Sequence, residues 1–348
     1  MTAPTAARAA YRRADAPAGV DLRLDGNEGP PRPEVLRIAS AAIDLDGMRL
    51  YPDASILEAR LAARMGVDPG CVLVTAGADE ALDRACRAFL GPGRSLVCPT
   101  PTFEMIERYG QLAGARILEV PWPEGSFPVD AVLARVEADT GLIAVVSPNN
   151  PTGAVASRED LARLERGAGN ALVLVDAAYG EFADENLGPA AVAGGRALVV
   201  RTFSKAWGLA GLRVGYAVGP VEAVAALRAA GGPYPVSAPS LAIALAWLDV
   251  GEAVMHELVA RIRLEREALR AGLARLGAAA LPSQANFVLA RFHDADAVRA
   301  ALAARGISVR SFPGRPLLAG CLRITCPGEA ASFERLMAAL EEIAGGRS

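Results

Sequence analysis

One primary side-chain amine stands in the whole chain: of its 36 cationic residues, 35 are arginine and one, Lys205, is lysine. A composition that uses arginine wherever charge is wanted leaves that lysine to be explained by reactivity. Guanidinium stays protonated to beyond about pH 12, whereas an ammonium that is desolvated, or set beside another cation, can lose its proton and condense with a carbonyl. A surface lysine kept by chance is the plain alternative, and the surrounding run R-T-F-S-K-A-W-G-L-A-G-L-R argues against it. That run brings hydroxyls at Thr202 and Ser204 and a second cation at Arg213. An aldehyde that also carries a phosphate suits such a set, because guanidinium makes strong charge-assisted contacts with phosphate oxygens. A carboxylate, Asp176, follows the apolar run 171–175 and so stands at the carboxyl end of an expected strand, where open α/β sheets bind ligands. There it can stabilise a neighbouring cation, or simply cap a helix. Gly77, Ala78 and Asp79 follow another strand and open a helix, so their backbone N–H groups form an anion site, with the Asp79 carboxylate free to cap.

Other chemistries find little support. The two histidines, His256 and His293, are too far apart in sequence for a metal-binding H-E-x-x-H or a recognisable nucleophile relay. The five cysteines (Cys71, Cys86, Cys98, Cys321, Cys326) contain no C-x-x-C pair. Neither a disulfide framework nor a metal site is therefore expected, and a reducing, cytoplasmic setting fits. With 36 cations against 39 acids the net charge is -3, which offers nothing to nucleic acid. Apolar runs such as 171–175 and 242–248 fall short of the ~20 residues a membrane span needs, so no membrane partner is expected. Residues 1–20 lack the apolar centre of a secretory signal and read as an N-terminal arm.

The elements that must position these groups alternate. Short β-rich runs at 71–75, 95–98, 116–120, 142–146, 171–175, 197–202 and 214–218 are separated by helical periodicity, as at 78–90 with Leu82, Cys86 and Phe89. This predicts one large, mostly parallel α/β sheet of seven strands. Near 231–235 a Gly/Pro cluster breaks the rhythm, and long helices are expected over 239–249 and 252–276. Strands at 286–292, 307–310 and 322–325, with helices at 295–305 and 329–344, suggest a smaller α+β C-terminal domain. The expected organisation is 1–40 as an N-terminal arm and start of the small domain, 41–235 as the large domain, and 236–348 as the small one. A chain of 348 residues exceeds one ordinary core, in keeping with two.

At this point the segment around Lys205 resembles the cofactor-lysine segment of fold-type I, pyridoxal-phosphate-dependent aminotransferases, most closely the histidinol-phosphate aminotransferases. The resemblance is carried in order along the chain by L-D-G-N-E-G-P (24–30), L-Y-P-D (50–53), T-A-G-A-D-E-A-L (75–82), P-T-P-T-F (99–103) and S-P-N-N-P-T-G (147–153). It continues through V-D-A-A-Y (175–179), P-Y-P-V-S (233–237), P-S-Q-A-N-F (282–287) and G-C-L-R-I-T (320–325). It implies the fold-type I architecture, pyridoxal 5'-phosphate joined to Lys205, Asp176 on the pyridine nitrogen, and Tyr179 and Asn150 on the cofactor's phenolic oxygen. It further implies Phe103 stacked on the ring, and the phosphate held by Gly77, Ala78, Asp79, Thr202, Ser204 and Arg213. Tyr51 is implied to reach the phosphate across a homodimer interface.

For the substrate, the resemblance implies Arg323 on a carboxylate, as its planar fork suits, with Asn27 nearby in a segment, Asn27–Glu28, that closes over the site. Arg310, thirteen positions earlier, and Tyr11 would hold a substrate phosphate. The implied reaction moves an amino group between L-histidinol phosphate and 2-oxoglutarate. Because Ser311, Phe312 and Pro313 follow Arg310 where relatives usually continue with Asp, an aromatic or other amino acid stays open as donor. A pyridoxal-phosphate decarboxylase of a phosphorylated amino acid is the further alternative.

Overall fold

A strand covered on both faces has no wet side to alternate toward, and the apolar runs of this chain are of that kind. The computed structural model describes residues 19–345. Its first strand, β1 (Leu22–Leu24), precedes a run of seven: β2 (Val72–Thr75), β3 (Ser95–Thr100), β4 (Arg116–Pro121), β5 (Thr140–Val146), β6 (Leu172–Asp176), β7 (Ala197–Thr202) and β8 (Gly215–Val218). These seven form one sheet in the order β2-β8-β7-β6-β5-β3-β4. Pairs among β3 to β7 are parallel, while β8 runs antiparallel to both β2 and β7. The seven-stranded, mostly parallel sheet read from sequence is therefore present. In β5 and β6 the side chains of Ile143, Val145, Val173 and Val175 pack on one face, and those of Leu142, Ala144 and Leu174 on the other. Each such buried Val, Leu or Ile contributes about 1.5–3 kcal/mol.

The second sheet takes β9 (Ala279–Ala280), β10 (Phe287–Arg291), β11 (Ile307–Ser311) and β12 (Cys321–Thr325) in the order β1-β11-β12-β10-β9. Its outer strand β1 comes from the other end of the sequence and lies parallel to β11, with Leu22 opposite Ile307 and Leu24 opposite Val309. Neither β1 nor the helices Pro33–Ala42, Leu45–Arg49 and Ser55–Met65 were foreseen. Three residues are too few to show an alternation, and the helix Pro33–Ala42 fully buries none of its side chains, packing only Val35 and Ile38 partly buried against the core. The helix Glu252–Arg275 runs beside β9 and β10 of the second sheet, and Ala238–Val250 packs on it and on the helix Pro33–Ala42; both are close to their expected bounds. One apolar cluster links the two sheets, running from Val72 and Val218 through Phe203 and Trp247 to Phe287 and Leu322. No single described helix is long and apolar enough to cross a membrane.

Candidate active site

The carboxyl ends of β6 and β7 form the floor of a cavity of about 250 Å³. Asp176 is the last residue of β6 and is buried, with its Oδ1 accepting from the Ala178 amide at 3.0 Å. Burial pushes its carboxyl from 3.8 up to about 7; the Ala178 bond opposes this, Asp79 adds to it and Lys205 opposes it. A buried acid left near neutrality is short of a cation, which is the condition a protonated heterocycle would satisfy. Lys205 stands three residues beyond β7. Its Nζ donates to the Gly26 carbonyl at 3.2 Å and lies 5.7 Å from the centre of the Tyr179 ring. Tyr179 is buried edge-on against Phe287, and its hydroxyl accepts from Asn27 Nδ2 at 2.8 Å.

One end of the cavity is shaped for an anion. The helix Gly77–Phe89 opens there, and Gly77 has φ +82°, a left-handed conformation that disfavours any other residue. Gly215, at the start of β8, touches it so closely that a Cβ would lie 2.4 Å from the Gly77 carbonyl carbon. Arg213 projects over this corner, with Nη1 3.4 Å from Ser204 Oγ and Nη2 donating to Asp79 Oδ2 at 3.1 Å. The expected capping by Asp79 does not occur. Its carboxylate is taken by Arg213, and Glu80 Oε2 accepts the Ala76 amide at the helix start instead. Ser204 N donates to Thr202 Oγ1 at 3.1 Å, fixing the loop that leads to Lys205.

Opposite, Arg323 on β12 is buried, with Nη1 donating to Asn150 Oδ1 at 2.6 Å and Nη2 to the Asp25 carbonyl at 2.7 Å. Its guanidinium carbon lies 5.2 Å from the Phe287 ring centre. Every residue of β12 is buried, so the alternation Leu322-Arg323-Ile324 separates cavity from core rather than core from water. Asn27, at φ +56°, is clamped: its carbonyl accepts from Asn286 Nδ2 at 3.2 Å, and Thr325 Oγ1 is 2.8 Å from its Oδ1. Of the Asn-Asn pair, Asn150 faces the cavity, while Asn149 is buried and ties Thr102, the Pro101 carbonyl and Thr152 together.

All but four of the residues named for the site from sequence line this cavity, Phe103 and Arg310 included. Gly77 stands just behind its wall. Tyr51 does not reach it within this chain; it is 81% exposed and stacks on Tyr234 at 4.7 Å. Tyr11 lies outside the described residues. Of Asn27 and Glu28, only Asn27 lines the cavity. Sequence reasoning missed Asp25, Gly26, Thr102, Glu104, Phe312 and Arg315, all of which line it. Gly26 contributes a carbonyl, which no side-chain pattern can signal, and Glu104 was passed over although it directly follows the P-T-P-T-F block. Among the described residues no group of three or more His, Cys, Asp or Glu side chains is placed to hold a metal ion.

Residues 21–340 match the family model for aminotransferase class I and II. The chain is 36% identical over 341 residues to a histidinol-phosphate aminotransferase of Erythrobacter litoralis, covering 93% of this chain and 90% of that one. It is 38% identical over 339 residues to one of Roseiflexus castenholzii, again with 93% and 90% covered. Among solved structures, a histidinol-phosphate aminotransferase from Sinorhizobium meliloti in complex with pyridoxal-5'-phosphate superposes with a TM-score of 0.85. The two are 26% identical, with 94% of this chain and 92% of that one covered.

Proposed function

The chain belongs to the class I and II aminotransferases, and from that premise we propose that it moves an amino group between L-histidinol phosphate and 2-oxoglutarate with pyridoxal 5'-phosphate as cofactor. The observation that carries this reading is the placement of the sole lysine beside a buried, near-neutral carboxyl and a glycine-lined anion corner in one cavity. The residues fit the cofactor. Lys205 offers the amine, Asp176 the counter-charge for a pyridine nitrogen, and Tyr179 and Asn150 two polar side chains for a phenolic oxygen. The Phe103 ring offers a stacking face, and Arg213, Thr202, Ser204 and the first N–H groups of the helix Gly77–Phe89 hold a phosphate. A Cβ at Gly215 would drive this corner apart.

The bound cofactor supplies an electron sink for the bond broken at the donor's α-carbon. Asp176 would pair with that ring's nitrogen and favour its protonated form. Lys205 Nζ would hold the cofactor's aldehyde carbon, and as a free amine it would be the base able to move a proton at the donor's α-carbon. The Gly26 carbonyl, 3.2 Å from Nζ, keeps the freed amine pointing into the cavity. Tyr179, oriented by Asn27, limits where that amine can swing. Arg323 binds the acceptor's carboxylate and Arg310 an anion at the donor's far end, each by charge-assisted contacts.

A homodimer belongs to this reading. Leu36, Leu45, Met48, Leu50 and Ile56 are all exposed around Tyr51, a concentration of apolar surface that favours a second copy of the chain. From such a copy Tyr51 would reach the partner's cofactor phosphate. Light scattering should return twice the chain mass, and Tyr51→Phe should weaken cofactor retention.

The direct test is a donor panel. Histidinol phosphate should bleach the visible absorbance of the cofactor-loaded protein, and 2-oxoglutarate should restore it. If phenylalanine or tyrosine bleaches it with the higher kcat/KM, the substrate assignment falls to an aromatic donor. Release of CO2 from a phosphorylated amino acid, without bleaching, would replace transamination by decarboxylation.

A further inference from the structure

The far end of the cavity, away from Lys205, holds more charge than the assigned chemistry uses. Arg310 Nη2 lies 3.5 Å from Glu104 Oε1, and Arg315 Nη2 lies 3.5 Å from Glu104 Oε2, so one carboxylate sits between two guanidinium groups. Both separations exceed the roughly 2.7–2.9 Å of a charge-assisted hydrogen bond. Arg315 is fixed more tightly from behind, where its Nη1 donates to Glu107 Oε2 at 3.0 Å. The Glu107 side chain is only 12% exposed, against 36% for Glu104. Of the two carboxylates, therefore, Glu104 is the more loosely held and the more open to water. It is also the first residue of the helix Glu104–Leu112, where a negative charge is favoured by the helix dipole whether or not it touches an arginine.

We propose that Glu104 is a displaceable counter-anion parked between Arg310 and Arg315, and that the anionic far end of each substrate takes its place. The proposal deepens the reading above by naming what this subsite selects. A phosphate on the donor and the distal carboxylate of a 2-oxo diacid present the same chemistry to it, so one pair of arginines serves both halves of the exchange. Glu104 turns outward as the anion enters, and its charge stays stabilised at the helix start. A substrate with a neutral far end finds the arginines already compensated and gains nothing by separating them from Glu104. Selection for an anion then comes from a repulsive element as well as an attractive one. Phe312 and Leu318 line the same wall with apolar surface, which excludes water from the contact.

Glutarate, a diacid without a keto group, is a suitable probe of the cofactor-loaded enzyme, read by calorimetry alongside steady-state kinetics. Glu104→Gln should bind glutarate about threefold more tightly, the scale of removing one half-exposed competing charge. It should also raise the kcat/KM ratio of histidinol phosphate to phenylalanine. Arg315→Ala combined with Glu107→Gln, which avoids stranding a buried carboxylate, should weaken glutarate about tenfold. Adding Glu104→Gln to that pair should change affinity by much less than in the wild type, because the carboxylate then has one arginine fewer to compete for. Unchanged or weaker glutarate binding in Glu104→Gln, or fully additive effects, would overturn the proposal. So would a loss confined to histidinol phosphate, which would make Glu104 a contact for the donor's ring. The glutarate measurements do not depend on the donor, so they stand even if the donor panel rejects histidinol phosphate.

Discussion

The two ends of the cavity are built by different means. At the Lys205 end, Asp176 and Thr202 are the last residues of adjacent parallel strands, and Lys205 and Arg213 lie in the loop that follows. At the other end, Glu104 at a helix start, Arg310 on β11 and Arg315 in a loop come from two stretches of sequence and meet through ion pairs. A strand end fixes its side chains through the buried sheet behind it, whereas an ion-paired cluster can rearrange while the backbone stays put. The first end suits unchanging chemistry on a cofactor, and the second suits a choice among substrates.

The contrast predicts where substitutions hurt. Lys205→Ala should remove catalysis by on the order of 10⁴-fold in kcat, since base and covalent anchor are lost together. Borohydride treatment of the cofactor-loaded wild type, followed by peptide mapping, should mark residue 205; a label elsewhere would break the comparison at its strong end. Asp176→Asn should cost about 10²- to 10³-fold in kcat with the fold intact, as expected for one preorganised electrostatic group. Arg323→Gln should act mainly on KM, by about tenfold or more, because hydrogen bonds to a charged group are lost. An equal fall in kcat would move Arg323 into the chemistry.

Smaller effects come from titration. In the cofactor-free protein Asp176 ionises near 7 rather than at 3.8, so the folded state keeps a proton that the unfolded chain releases. Its contribution to stability is complete below 3.8 and is lost as the pH rises through about 7. Scanning calorimetry should show Tm of the cofactor-free protein falling by a few degrees across that window. Asp176→Asn should flatten this fall, leaving the part due to Glu265, which burial also raises to about 7. Cofactor loading should flatten it too, by giving Asp176 a cation. Smallest of all, Asp79→Asn should change cofactor affinity by no more than about twofold, since its contact with Arg213 is half exposed.

The same contrast decides what the sequence could disclose. Strands β5 to β7 announce themselves as apolar runs, and a polar residue at the end of such a run is a site candidate by position alone; Asp176 was found that way. Lys205 stood out through composition. Arg323 and Arg310 were reached through resemblance, because nothing local separates them from 33 other arginines. Glu104 and Arg315 were not found. Their meaning arises only when a helix start and a loop more than two hundred residues apart in sequence meet, and charge alone marks neither. Tyr51 belongs to neither end within a single chain, since a surface stack with Tyr234 has no signature distinguishing it from packing.

The pairing of β1 with β11 ties the two extremes of the polypeptide into one edge. Residues 25–27, which follow β1 directly, receive the Lys205 amine on the Gly26 carbonyl and the Arg323 guanidinium on the Asp25 carbonyl. A nascent chain on the ribosome would therefore have its larger sheet made long before β11 and β12 emerge to seat this segment. Domains can fold as they are synthesised, yet Lys205 and Arg323 meet these two carbonyls only after β11 has paired with β1 and β12.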